Sequence, residues 1–330
     1  MQASKIASGL TLVGVVAISN AQDKRAFDLL LQSMQGKYKE NIVALMRQQS
    51  PMDNQVLKIK LQRSKDGKVR ESILEPLHMI SEFVDDGKTL STYAPSDKVL
   101  ITQNSLSIQA DVDFRVPLIR KNYVLTSESG KKIAGCRTTL VTATPKYKDV
   151  STIRYYFDVK SGFPLAKESV DPSGSVTQEY EVLEAKFPSE IENSIFKIEP
   201  VAGYDHVRFN EPTDLKSQAD AKRRLGFEPV FPSQLPYGFK TQRMTITSNS
   251  RWKALAFKLT DGIQKVTVFQ WKPTPGEQIK TGEDYTVQLR NGLKVMIVAD
   301  IRPSLRASLI RAFFSTESSY QLGFSTTYGR

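Results

Sequence analysis

Tight turns marked by glycine, recurring at short intervals, constrain this chain more than any other feature. Asp66-Gly67, Asp86-Gly87, Ser129-Gly130, Ser161-Gly162 and Ser173-Gly174 each separate two short runs of strand-forming residues. Such dipeptides favour hairpins, so successive runs should pair antiparallel. The clearest run has Leu57, Ile59 and Leu61 alternating with Lys58, Lys60 and Gln62, which makes one face apolar and the other wet. Further strands are predicted over 69–74, 80–84, 89–93, 99–102, 123–126, 133–142, 153–159, 165–170 and 176–187. Tyr155 and Phe157 alternate with Arg154, Tyr156 and Asp158 and are expected to face the same way as Leu57. This rhythm implies a large curved sheet or a barrel. Its apolar face needs a cover. A helix over 23–35, with Phe27, Leu30, Leu31 and Met34 on one stripe, supplies one cover, and 104–114 a shorter second.

The rhythm stops over 188–213, where Pro188, Pro200 and Pro212 punctuate the chain, and this stretch reads as a linker. Beyond it, a helix is predicted over 214–225 and strands over 239–247, 252–259, 263–271, 285–290 and 293–299. Asp261-Gly262 and Asn291-Gly292 are hairpin signals, and Pro303 opens a final helix carrying Leu305, Leu309 and Phe313. At the other end, Lys5, an apolar run over 6–18 and the small residues Ser19-Asn20-Ala21 have the layout of a signal peptide cleaved near Ala21. That run is shorter than the ~20 residues a membrane-spanning helix needs. The expected organisation is a signal peptide over 1–21, a domain over 22–187, a linker over 188–213 and a second domain over 214–330. The mature chain is expected to be exported and soluble, in the periplasm or cell envelope.

Chemistry is scarce. Two histidines and one cysteine exclude a multi-ligand zinc site, a CxxC redox pair and an internal disulfide framework. His78 and His206 have no metal-ligand partner at helix or hairpin spacing, and no nucleophile-elbow, zincin or phosphate-loop motif occurs. A non-enzymatic binding protein is expected, with no catalytic residue, metal or cofactor. Leu57, Ile59, Leu61, Tyr155 and Phe157 are the candidate lining of a pocket for an acyl chain or an apolar peptide. Charge points to a second surface. Residues 22–214 carry 27 basic and 27 acidic side chains, whereas 215–330 carry 18 basic and 8 acidic. The second domain should therefore attract an acidic protein segment or anionic headgroups; an exported chain makes nucleic acid a poor partner. The candidate contacts are Lys222, Arg223 and Arg224, with Arg243, Arg251 and Lys253 around the first hairpin and Trp252 and Trp271 as apolar anchors. Arg251 and Lys253, two apart on one strand, share a face.

Four ordered pieces of the chain carry a family resemblance. Ile133-Ala134-Gly135-Cys136-Arg137, then Pro145, Ile153-Arg154-Tyr155-Tyr156-Phe157-Asp158-Val159 and Ser161-Gly162-Phe163-Pro164-Leu165-Ala166-Lys167 form the first. Leu235-Pro236-Tyr237-Gly238-Phe239, then Asp261-Gly262 with Val266-Thr267-Val268-Phe269, and finally the stretch 295–303 leading into a helix complete the series. In this order they resemble the MucB/RseB family of periplasmic sigma-factor regulators, whose N-terminal domain is similar to the LolA-type lipoprotein carriers. The resemblance implies an α+β fold, mostly antiparallel: a curved half-barrel sheet with covering helices, joined to a smaller basic α+β domain. It also implies a partner, the periplasmic segment of a membrane-bound anti-sigma factor, with lipid, lipopolysaccharide or lipoprotein acyl chains as signals. A lipid or lipoprotein carrier using the first domain alone is the alternative.

Overall fold

The computed structural model describes residues 24–49, 55–76, 81–105, 108–198, 202–208, 213–215, 218–248, 253–273, 285–290, 292–299 and 301–314. The described chain divides into two compact units between Asn210 and Glu211.

In the first unit, helix α1 spans 24–34. Strands follow as β1 (Ile42–Gln49), β2 (Val56–Arg63), β3 (Val69–Glu75), β4 (Glu82–Asp85), β5 (Thr89–Ala94) and β6 (Val99–Asn104). Helix α2 (Ile108–Asn122) then leads to β7 (Tyr123–Ser129), β8 (Thr138–Pro145), β9 (Thr152–Asp158), β10 (Pro164–Val170), β11 (Val176–Lys186) and β12 (Asp205–Arg208). The turn glycines do what the sequence requires of them: Gly67 at φ 98° and Gly87 at φ 87° hold conformations a side chain would strain.

All twelve strands form one sheet in the order β12-β6-β5-β4-β3-β2-β1-β11-β10-β9-β8-β7. It is two meanders joined where β1 meets β11, and only β12 pairs parallel, against β6. The connection through α2 forces this sheet to curl. In a flat sheet β6 and β7, ten spacings apart in that order, would stand about 48 Å apart. The 15 residues of α2 span only about 22 Å, and 105–107 add at most about 11 Å. The sheet is therefore an open half-barrel, and α2 crosses its concave side as a chord.

Strand β1 was not anticipated, although it is the centre of the sheet. Its sequence IVALM is apolar at every position, so no period of two is visible. Its burial alternates all the same, with Ile42, Ala44 and Met46 inside. The stretch predicted as one strand over 133–142 begins instead with a tight loop bridging Ile133 and Cys136 before β8. The second cover, α2, is longer than the predicted 104–114, and Asp111 pairs on it with Arg115 at 3.0 Å.

Residues 188–208 lack strand periodicity but belong to the first unit. A 3-10 turn at Asn193–Phe196 packs on β3 and buries Phe196 almost completely. Arg70 Nη1 donates to the Ile195 carbonyl at 2.9 Å, and the Tyr204 ring lies 5.1 Å from that of Tyr93. This segment covers the outer face of β3 to β6, where Val84 and Leu100 are buried.

The second unit holds β13 (Thr213–Asp214), helix α3 (Gln218–Leu225), β14 (Lys240–Ser248), β15 (Lys253–Thr260), β16 (Lys265–Trp271), β17 (Tyr285–Arg290), β18 (Leu293–Val298) and helix α4 (Pro303–Ala312). The strands form a six-stranded sheet in the order β13-β14-β15-β16-β18-β17. One face packs Met244, Leu255, Phe257, Val268 and Ile297 against Ala221 and Leu225 of α3 and Leu305, Leu309 and Ile310 of α4. The Asp261-Gly262 turn is tied by Asp261 Oδ1, which accepts from the Ile263 and Gln264 amides at 2.9 and 2.8 Å.

Candidate functional site

Two surfaces were singled out by sequence, the apolar face of the first unit and the basic side of the second. On the first, cross-strand register decides which side chains meet, because directly paired residues share a face. The row Leu57↔Gln48↔Tyr180↔Lys167↔Tyr155 runs across five strands without a bulge. Leu57, Ile59, Leu61 and Tyr155 thus face one way, and Phe157 joins them: its ring stacks on Tyr155 at 5.8 Å and 23°. Thr139, paired with Phe157, accepts a hydrogen bond from Arg25 of α1 at 2.9 Å, which places α1 on this same side. The shared face is therefore the concave one. Arg120 of α2 stands 4.1 Å over the Phe27 ring of α1, so the two helices meet there.

The face is packed at its centre. Leu57, Ile59 and Leu61 are 4–5% exposed and Phe157 is fully buried. Two surface cavities, about 480 Å³ beside Leu29 and Val159 and about 390 Å³ beside Phe227 and Leu293, are lined by none of the five predicted residues. A chain entering at Leu57, Ile59, Leu61 or Phe157 would displace packed side chains. Toward β6 the cover thins: Ile73, Phe83 and Ile101 on the same face are only half-buried. Tyr180, enclosed beside Tyr155, Tyr38 and Glu179, has its hydroxyl held well above the usual tyrosine value of 10.0, mainly by burial.

On the opposite face Glu168 accepts from Lys131 Nζ at 2.8 Å and from the Tyr156 hydroxyl at 3.0 Å. The Lys131 ammonium also stands 4.8 Å over the Tyr156 ring. Lys131 lies just before the short loop that bridges Ile133 and Cys136. Cys136, in that loop, has its thiol pushed up by burial and by Asp158. Among the described residues, no three His, Cys, Asp or Glu side chains come together as metal ligands. No described helix is long and apolar enough to cross a membrane.

The basic residues predicted on the second unit do not form one patch. Lys222, Arg223 and Arg224 sit on α3 and are engaged locally: Lys222 pairs with Glu228, while Arg223 and Arg224 share Asp220 at 2.7 and 3.8 Å. Arg223 and Arg224 lie three and four residues from Asp220 on the helix, where such pairs readily form, which the count of charges conceals. Arg251 and Trp252 lie outside the described residues. Lys253 pairs with Ser248 in register, on the phase of Leu255 and Phe257 and away from Arg243. Arg243 and Trp271 do share a face, the one opposite α3 and α4. Its register rows are Arg243↔Lys258↔Thr267↔Val298 and Phe269↔Met296, with Trp271↔Lys294 beside them. The Lys294 ammonium lies 5.9 Å from the Trp271 ring. Lys258, Phe269 and Met296 on this face were missed, although two-residue alternation along β15, β16 and β18 carries the signal, and Lys294 is buried there.

The two units define a class of protein: a half-barrel under helices, followed by a smaller sheet that carries Arg243, Lys258 and Trp271 on the face opposite its helices. No protein-family model matches the chain, and no curated protein matches it. Solved structures do. The chain has the fold of MucB: it is similar to the MucA/MucB complex of Pseudomonas aeruginosa with a TM-score of 0.60 and 14% identity, over 86% of this chain and 96% of that one. A crystal structure of MucB gives 0.58 and 15% over 88% and 97%. MucB in complex with MucA(peri) gives 0.56 and 13% over 87% and 96%.

Proposed function

We propose that this chain is an exported, non-enzymatic regulator that binds the periplasmic segment of a membrane-bound anti-sigma factor and responds to a lipid. The observation that carries this reading is the extent of the likeness: the MucB fold covers both units, not the half-barrel alone. A carrier that used only the first unit would have no need of the second. In this reading the second unit docks an acidic segment on the face bearing Arg243, Lys258 and Trp271. Exposed ion pairs contribute only about 0–1 kcal/mol each, so several must act together around an apolar anchor. The concave face of the first unit, with Leu57, Ile59, Leu61, Tyr155 and Phe157 at its centre, is the acyl-chain site. Its packed state is the unliganded one, and an entering chain shifts the protein to a second arrangement in proportion to its preference for that arrangement.

The test is calorimetric titration of the mature chain with the periplasmic segment of a single-span anti-sigma protein encoded beside it, at low and high salt. Binding should weaken as salt rises, since exposed charges are screened within about 10 Å at 0.1 M. No binding, or binding indifferent to salt and to Arg243→Glu, would refute the docking face. Lipid that co-purifies with a chain that ignores the segment would favour the carrier instead.

A further inference from the structure

We propose that Glu71 is the polar determinant of the concave face, selecting an amphiphile that carries a protonated amine on an alkyl chain. The inference rests on reading that face as an acyl-chain site and goes further by naming the head group.

Strand β3 begins Val-Arg-Glu-Ser-Ile, and Glu71 occupies the phase of Val69 and Ile73, not that of Arg70 and Ser72. Register confirms the phase: Leu61↔Glu71↔Phe83↔Thr92↔Ile101 is one row across β2 to β6. Glu71 thus stands on the concave side among Leu61, Ile73, Val69 and Phe83, in the part of the face whose cover is thinner. Arg70 and Ser72, on the outer face, both bond Glu82, at 2.7 and 3.2 Å.

Among the described residues Glu71 makes no hydrogen bond or ion pair. The cation that acts on it is Arg63, two strand positions from Leu61 on the same side. That guanidinium donates to the Gly36 carbonyl at 3.4 Å, lies 5.0 Å from the Tyr38 ring and keeps its buried Nε without a partner, so it acts on Glu71 as a nearby charge and not as a bonded pair. Burial outweighs Arg63 and raises the Glu71 carboxyl above the usual glutamate range.

An ionised group in apolar surroundings costs free energy unless it is paired. An ammonium at the end of an alkyl chain supplies both missing elements, a counter-charge for Glu71 and apolar surface for the side chains around it. A fatty acid or alkyl phosphate would set like charges together and be rejected.

The experiment is calorimetric titration of the mature chain and its Glu71→Gln variant with monomeric dodecylamine and dodecanoate at about pH 8, where amine and carboxyl are both ionised. The wild type should prefer the amine by about tenfold or more, and the variant should bind the two within about twofold, the scale of one partly buried ion pair. Equal binding by the wild type, or a preference untouched by Glu71→Gln, overturns the assignment and leaves the acyl-chain site standing. Failure of both ligands to bind removes that site and the assignment with it. Thermal melting separates a structural role: the variant should melt at or above the wild-type temperature, because a desolvated carboxylate is lost. A clear fall in melting temperature together with unchanged selectivity would make Glu71 a structural residue.

Discussion

Replacing Phe196 with alanine tests whether the segment after β11 is part of the half-barrel or a tether. Phe196 is 1% exposed, in a 3-10 turn that packs on β3. Burying it closes the outer face over Val84 and Leu100, and the backbone of its neighbour Ile195 holds Arg70, which also grips both Glu82 oxygens at 2.7 Å. Phe→Ala at a site of this burial costs about 3–5 kcal/mol, from lost transfer energy and from the cavity left behind. Against a typical domain stability of about 5–15 kcal/mol this is a large fraction. At about 2–4 °C per kcal/mol for a unit of this size, the first unit should melt about 6–20 °C lower. The chain supplies its own reporter, since both tryptophans, Trp252 and Trp271, lie in the second unit. Far-UV circular dichroism follows both units, whereas tryptophan fluorescence follows the second. The lowered transition should appear in the first signal and be absent from the second. Val207→Ala is the control: that side chain is 40% exposed on β12, and its loss should cost no more than about 0.5 kcal/mol. A Phe196→Ala protein that melts like the wild type, or one whose tryptophan transition moves equally, would refute the reasoning.

Other outcomes can be checked alongside. Asp158 is buried and accepts from both the amide and the hydroxyl of Ser161 at 2.7 Å, so Asp158→Ala should cost about 1–3 kcal/mol in urea unfolding. Stability should fall at alkaline pH. Burial raises Tyr180 and Tyr156, and the hydrogen bond to Glu168 raises Lys131. Below about pH 10 both folded and unfolded chains hold these protons; above it the unfolded chain releases them first, and stability declines. Tyr180→Phe should reduce that slope, which urea midpoints at about pH 8 and about pH 10.5 would show. Charge reversal should discriminate the basic groups of the second unit. Arg243→Glu or Lys258→Glu should weaken anti-sigma binding in calorimetry, whereas Lys222→Glu, on α3 at the other face of the sheet, should change it little.

Local rules account for much of this molecule. The turns at Asp66-Gly67, Asp86-Gly87 and Asp261-Gly262, the alternation of Leu57, Ile59 and Leu61, and the helix from Pro303 are short-range properties, and each is where the residues place it. So is the excess of positive charge after residue 214, which no fold can remove. Tertiary structure decided the rest, because it depends on which distant residues become neighbours. Strand β1 is invisible to periodicity yet central, since its apolar run acquires an inside and an outside only between β2 and β11. Phe196 lies in a proline-marked stretch and becomes core because β3 to β6 leave an uncovered face nearby. Lys222, Arg223 and Arg224 acquire the local partners Glu228 and Asp220. Glu71 belongs to both levels: its phase on β3 is legible in the sequence, but only the register with Leu61 and Phe83 sets a carboxylate within an apolar face. Periodicity assigns a side chain to a face, and only the assembled sheet determines what that face contains.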